Sequence, residues 1–111
     1  MKIELQNIFL KTFTEQNAID YCLLNSINPL NVTELWLNGN LLTDVSGVKL
    51  FKNLIILTLY ENYINNILFL KDLKNLEILI IGYNNIKDIS SVKFLTNLEY
   101  LNIDNLQLES D

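Results

Sequence analysis

The sequence has no arginine and no histidine, one cysteine, one proline and three glycines in 111 residues. Each shortage removes a class of function. Positive charge comes from lysine alone, and acidic residues outnumber it to leave a net charge of −5. Nucleic-acid binding relies on clustered Arg and Lys to neutralise phosphate, so no nucleic-acid partner is expected. A lone Cys22 cannot close an intrachain disulfide, which fits a reducing compartment. Beside Leu23 and Leu24 it reads as a small buried hydrophobe. Without histidine or a second cysteine, one chain cannot build a Cys/His metal site. Gly39, Gly47 and Gly82 are too scattered for a phosphate-cradling loop. No apolar run approaches the roughly 20 residues that cross a bilayer. The N-terminus, Met1-Lys2-Ile3-Glu4, breaks off too soon for the apolar core of a secretory signal. The expectation is a soluble, cytoplasmic chain with no membrane partner, no metal and no cofactor. Asn31-Val32-Thr33 matches a glycosylation sequon, which without a signal peptide reads as chance.

What the sequence does have is apolar residues, 50% of the total against 19% charged. They come in short clusters, and a chain so composed folds, here as one domain. Four segments align: Asn31-Val32-Thr33-Glu34-Leu35-Trp36-Leu37, Asn53-Leu54-Ile55-Ile56-Leu57-Thr58-Leu59, Asn75-Leu76-Glu77-Ile78-Leu79-Ile80-Ile81 and Asn97-Leu98-Glu99-Tyr100-Leu101-Asn102-Ile103. Each starts 22 residues after the last, with no insertion or deletion. The register continues through Asn40, Asn62 and Asn84, then Leu42, Ile64 and Ile86. It closes each unit with Val45, Val48 and Phe51, with Ile67, Leu70 and Leu73, and with Ile89, Val92 and Leu95. This is an internal repeat.

Each unit holds two local structures. Leu35 and Leu37, with their counterparts Leu57/Leu59, Leu79/Ile81 and Leu101/Ile103, alternate with a period of two, which marks a short strand with one inward face. The triads Val45/Val48/Phe51, Ile67/Leu70/Leu73 and Ile89/Val92/Leu95 have a period of three, which fits 3₁₀ or tight helical turns. Asp44, Asn66 and Asp88 precede those turns, where a side-chain oxygen can take free amides. Identical spacing stacks the strands into one parallel sheet, and only stacked neighbours bury the apolar side.

From Leu54 the pattern reads LxxLxLxxNxIxxIxxLxxLxN. It resembles the leucine-rich-repeat family, in the 22-residue class of a phosphatase-regulatory subunit and of bacterial internalins. The resemblance covers residues 31–111. It implies an α/β fold: a right-handed solenoid with a concave parallel β-sheet, short 3₁₀/α turns on the convex side and an N-terminal helical cap. It also implies that Asn40, Asn62 and Asn84 form a buried structural ladder. The physics agrees, since backbone groups at the strand end need partners inside the coil.

The expected organisation is a cap over residues 1–30, then repeats 31–52, 53–74 and 75–96 and a partial repeat 97–111. In the cap, Lys2 to Leu5 alternates as an edge strand. Thr14 to Asn25 reads as a helix with Thr14 as N-cap, ended by Asn28-Pro29. In the partial repeat Leu106 replaces the ladder asparagine. Two readings stay open there: Leu106 and Leu108 form a minimal lid, or strand Glu99–Ile103 is an open edge that pairs with a second copy or a partner's strand. A fragment of a longer solenoid is a third.

Function belongs on the strand positions that point away from the leucines. These form four rows: Glu34, Ile56, Ile78 and Tyr100; Trp36, Thr58, Ile80 and Asn102; Asn38, Tyr60, Gly82 and Asp104; Gly39, Glu61, Tyr83 and Asn105. Tyr63 stands at the rim. A bare scaffold would carry polar residues here, whereas these positions hold the only Trp, most of the Tyr and three Ile. Aromatics on contiguous exposed apolar surface mark protein interfaces. Strand propensity accounts for Ile56, Ile78 and Thr58 but poorly for Trp36, Tyr60 and Tyr83. Lys49, Lys52, Lys71, Lys74, Lys87 and Lys93 fall in the helical halves or the loops leading to them, and Glu34, Glu61 and Asp104 on the concave side. A protein partner with a basic patch is therefore expected. No residue is expected to be catalytic, for Glu61 and Asp104 have no enclosing pocket for acid–base work. Adaptor or effector, dedicated inhibitor or immunity protein against a basic toxin, and self-assembling unit joined at the C-terminal edge are the competing roles.

Overall fold

A computed structural model describes residues 1–5 and 11–109 of the chain. Residues 6–10 of the expected cap, and 110 and 111 at the end of the expected partial repeat, lie outside the described residues. Among the described residues five short strands, β1 (Lys2–Glu4), β2 (Glu34–Trp36), β3 (Ile56–Thr58), β4 (Ile78–Ile80) and β5 (Tyr100–Asn102), form one parallel sheet in sequence order. The 22-residue period sets the register, Leu35 opposite Leu57, Leu57 opposite Leu79 and Leu79 opposite Leu101. The ladder runs past the strands, with the amides of Leu37, Leu59 and Ile81 donating to the carbonyls of Thr58, Ile80 and Asn102. Strand β1 joins off the repeat count, Ile3 opposite Leu35, and extends the sheet by one.

The inward side closes completely behind β2, β3 and β4. Leu35, Leu37, Leu57, Leu59, Leu79 and Ile81 have no exposed surface, nor have Leu42, Ile64 and Ile86 beyond them. The period-three triads bracket 3₁₀ helices at Ser46–Leu50, Leu68–Asp72 and Ser90–Phe94, the middle residue inside each helix and the outer two at its caps. As expected of their positions, Asp44, Asn66 and Asp88 each accept one amide, from Ser46, Leu68 and Ser90 at 2.9, 2.9 and 2.8 Å. The bond from the Ser90 amide, with one involving the Ser90 hydroxyl, holds the Asp88 carboxyl below the usual range, and Lys93 adds to this. A depressed folded pKa gives stability that is complete above the unfolded value of about 3.9 and is lost as pH falls through the folded value. Asp88→Asn should keep the cap, as Asn66 does one coil earlier. Urea midpoints of wild type and variant should then agree near neutral pH, with a shallower acid decline in the variant below about pH 4.

The asparagine ladder is in place. Asn62 Oδ1 accepts from the amides of Asn40 and Leu42, both at 3.0 Å, and its Nδ2 donates to the carbonyls of Leu37 and Leu59 at 2.9 and 3.0 Å. Asn84 repeats the arrangement, accepting from Ile64 and donating to Leu59, Ile81 and Gly82. Asn40 donates to Leu5 in the cap. A second, exposed ladder runs along the repeat starts, where Asn53 donates to the carbonyl of Leu30 and Asn97 to that of Lys74.

At the N-terminal end, helix α1 (Glu15–Leu24) closes the core with Ala18 and Cys22, both buried. Thr14 caps it in a reciprocal box with Asn17. Burial pushes the Cys22 thiol up. The other end is less covered. Leu106 packs against the core and Leu108 remains exposed. Leu98, Leu101 and Ile103 are only half-buried. The lid is thus partial, and among the described residues β5 pairs on one side alone.

Candidate functional site

Because Leu35, Leu57 and Leu79 point into the coil, their neighbours on each strand must point out. The register then lines up Glu34, Ile56, Ile78 and Tyr100, and beside them Trp36, Thr58, Ile80 and Asn102. Glu34, Trp36, Ile56, Ile78, Ile80, Tyr60 and Asn102 are half-buried, whereas Asn38, Glu61, Tyr83, Tyr100 and Asp104 are exposed. Thr58 departs from the expected contact set: it is 1% exposed and its hydroxyl has no hydrogen-bond partner among the described residues. Its neighbours in register, Trp36 and Ile80, are both larger and stand over a side chain too short to reach between them.

The aromatic residues split into two groups. At the β1 edge, the Trp36 indole N–H donates to Glu34 at 3.3 Å, and Lys2 Nζ lies 4.1 Å from the ring centroid. Lys2 also pairs with Glu4 at 3.6 Å. Neither Lys2 nor Glu4 figured in the expected rows, because β1 joins the sheet outside the period. Just past β3 and β4, Tyr60 and Tyr83 tilt against each other with ring centroids 5.1 Å apart. Burial, followed by the neighbouring Tyr83, Asp104 and Glu61, raises the Tyr60 hydroxyl above its ordinary range. Asn38 accepts the Tyr60 amide at 2.8 Å, so its side chain fixes the backbone there. Asn102 likewise binds Asp104, amide to carboxylate at 3.1 Å. Tyr63 stands apart from the sheet face, in a groove of about 1120 Å³ along the coil flank that Tyr83, Asn85, Lys87 and Gln107 also line.

Backbone geometry marks one position. Where the chain leaves each strand, Gly39, Glu61, Tyr83 and Asn105 all adopt a left-handed conformation, with φ of 65, 59, 56 and 52°. Gly and Asn tolerate this region, but Glu and Tyr are strained there by about 1–2 kcal/mol. Gly82 serves a different need, since an added Cβ would lie 2.5 Å from Asn102 Oδ1 and 2.9 Å from the Asp104 carbonyl. Among the described residues no three His, Cys, Asp or Glu side chains converge, and no helix is long and apolar enough to cross a membrane.

A 22-residue period, one parallel strand per coil, inward leucines and an asparagine ladder describe one architecture. The chain is a leucine-rich-repeat solenoid. The family model described as Leucine Rich repeats (2 copies) matches residues 74–111. An internalin (inlF) from Listeria monocytogenes superposes with a TM-score of 0.71 at 33% identity, over 74% of this chain and 24% of its own. An internalin C2 (inlC2) from the same organism gives 0.70 at 30% identity, over 76% of this chain and 39% of its own. The chain thus spans well under half the length of either internalin. No curated protein sequence matches it. Leucine-rich-repeat folds of this internalin-like kind are in general protein–protein interaction modules.

Proposed function

We propose that the chain holds one protein partner on the outer, concave face of its sheet, through Trp36, Tyr60, Tyr83 and Tyr100 with Ile56, Ile78 and Ile80 between them. The observation that carries this is the placing of aromatic rings outside a core that is already closed. Tyr83 is 44% exposed while Leu79 and Ile81 behind it have no accessible surface, and Tyr100 on the last strand is 54% exposed. Packing therefore does not require these rings. A preordered sheet loses little entropy on binding, so rigid aromatic anchors count almost fully. The acidic rim of Glu34, Glu61 and Asp104 steers a partner with a basic patch and accelerates encounter at low salt. That rim suits an adaptor or an inhibitor of a basic protein equally.

The test is capture from native lysate by wild type and by a Trp36→Ala/Tyr60→Ala/Tyr83→Gly variant of matched melting temperature. At least one protein should be held by wild type and reduced about tenfold or more by the variant, since a single anchor contributes about 2 kcal/mol. Equal capture by both would overturn the reading. Tyr83→Gly alone separates binding from folding. Glycine relieves the left-handed strain at this position, so the melting temperature should hold or rise while capture falls.

A second reading, self-association at β5, is favoured by the half-exposed Leu98, Leu101 and Ile103. A monomeric mass by light scattering up to about 100 μM, a concentration at which a weak dimer populates, would exclude it.

A further inference from the structure

The two aromatic groups on the sheet face share one chemistry, and only one of them holds a cation. At the β1 edge an indole face, with Glu34 hydrogen-bonded to its N–H and Glu4 alongside, receives the chain's own Lys2 ammonium at 4.1 Å. Just past β3 and β4 the Tyr60 and Tyr83 rings lie 5.1 Å apart at 57°, with the Tyr83 amide donating to the Asp104 carbonyl at 2.7 Å and the Glu61 amide to that of Gly82 at 3.1 Å. Among the described residues no lysine forms an ion pair with these carboxylates or lies over these rings. The remaining lysines of the repeats lie in the helical halves or the loops leading to them.

We infer that Tyr60, Tyr83, Asp104 and Glu61 form a receptor for one cationic side chain, lysine or arginine, projecting from the protein partner. This rests on the reading of the sheet face as the binding surface and names the chemistry it selects. Two further observations bear on it. Asn102 binds the Asp104 carboxylate and also accepts the Asp104 amide at 3.2 Å, so one receptor carboxylate is held in place before any ligand arrives. Glu61 and Tyr83, two of the four receptor residues, are the two that occupy the left-handed turn without being Gly or Asn. The chain carries backbone strain at these two receptor positions, as it also does at Ser26 and Leu41 outside the receptor. A cation over an aromatic face gains about 0.5–1 kcal/mol at an exposed site and more when desolvated, and the carboxylates favour a charge over a neutral side chain of equal size.

The probe is Nα-acetyl-lysine methylamide, titrated into the full chain and followed by tyrosine ring signals in NMR, with Nα-acetyl-norleucine methylamide as the neutral counterpart. The Tyr60 and Tyr83 signals should respond to the lysine derivative at a concentration about three- to tenfold lower than to norleucine. Asp104→Asn and Tyr83→Leu should each abolish most of that preference, and Phe94→Ala on the far side should leave it unchanged. An equal response to both probes, a response centred away from Tyr60 and Tyr83, or a preference that survives Asp104→Asn combined with Tyr83→Leu overturns the receptor. The two readings fail separately. Face-dependent capture of a partner without lysine preference sinks the receptor and spares the face. Lysine preference with capture indifferent to the face sinks the claim that the cation belongs to a protein partner.

Discussion

Replacing Asn62 by alanine is expected to lower the unfolding free energy by about 3 kcal/mol or more. The side chain makes four hydrogen bonds, and their loss is not symmetric. The Leu59 carbonyl also accepts from Asn84 at 2.8 Å and so keeps a partner. The Leu37 carbonyl and the amides of Asn40 and Leu42 each lose their bond to Asn62 inside a dry coil. Each buried polar group left unsatisfied costs about 1–3 kcal/mol, against about 5–15 kcal/mol for a whole domain of this kind. The same count ranks the ladder. Asn84→Ala should cost less, because Gly82 and Leu59 retain the Glu61 amide and Asn62 respectively. Equilibrium urea unfolding at constant m checks both values. A loss below about 1 kcal/mol for Asn62→Ala would mean that water enters the vacated space and takes over the amides.

Legibility of the fold tracks how far one residue type implies one environment. The inward leucines and the ladder asparagines recur every 22 residues in the same surroundings, so position alone identified them. The cap strand and helix were legible for local reasons, alternation in Lys2–Leu5 and a capping threonine at Thr14. What escaped depends on neighbours. Thr58 shares a row with half-buried residues, and its own burial depends on what stands beside it, with the larger Trp36 and Ile80 opposite it in register on either side. Lys2 and Glu4 belong to the face through a pairing that the repeat does not count. The left-handed turn did leave a trace in the sequence, in Gly39 and Asn105 at the same repeat position as Glu61 and Tyr83. Two permissive residues out of four point to a backbone demand that the other two meet under strain.

Gly47 carries the second large effect. Its counterparts in later coils are Phe69 and Ser91, which face another coil, whereas Gly47 faces the cap. A Cβ at this position would fall 2.3 Å from the Thr14 carbonyl oxygen and 2.7 Å from that of Phe13, both backbone atoms that no rotamer change can move away. The Gly47 amide donates to Phe13 at 2.8 Å, the Phe13 amide donates to Asp44, and the Phe13 ring stacks on Phe51 with centroids 6.1 Å apart. Gly47→Ala must therefore push the Phe13–Thr14 backbone outward. That breaks the amide bond, unseats a buried ring and loosens the N-cap of α1, at a cost of about 2–4 kcal/mol. The cost is local, which makes it separately measurable. Cys22, 4% exposed on α1, reacts with a thiol reagent only when the cap opens. If the strain acts on the cap, opening becomes easier by the same free energy, and labelling at fixed pH should accelerate about tenfold for each 1.4 kcal/mol. A variant with a lowered urea midpoint but wild-type labelling would place the strain in the first coil instead. The cap would then be a passenger on the solenoid rather than the element that seals its N-terminal end.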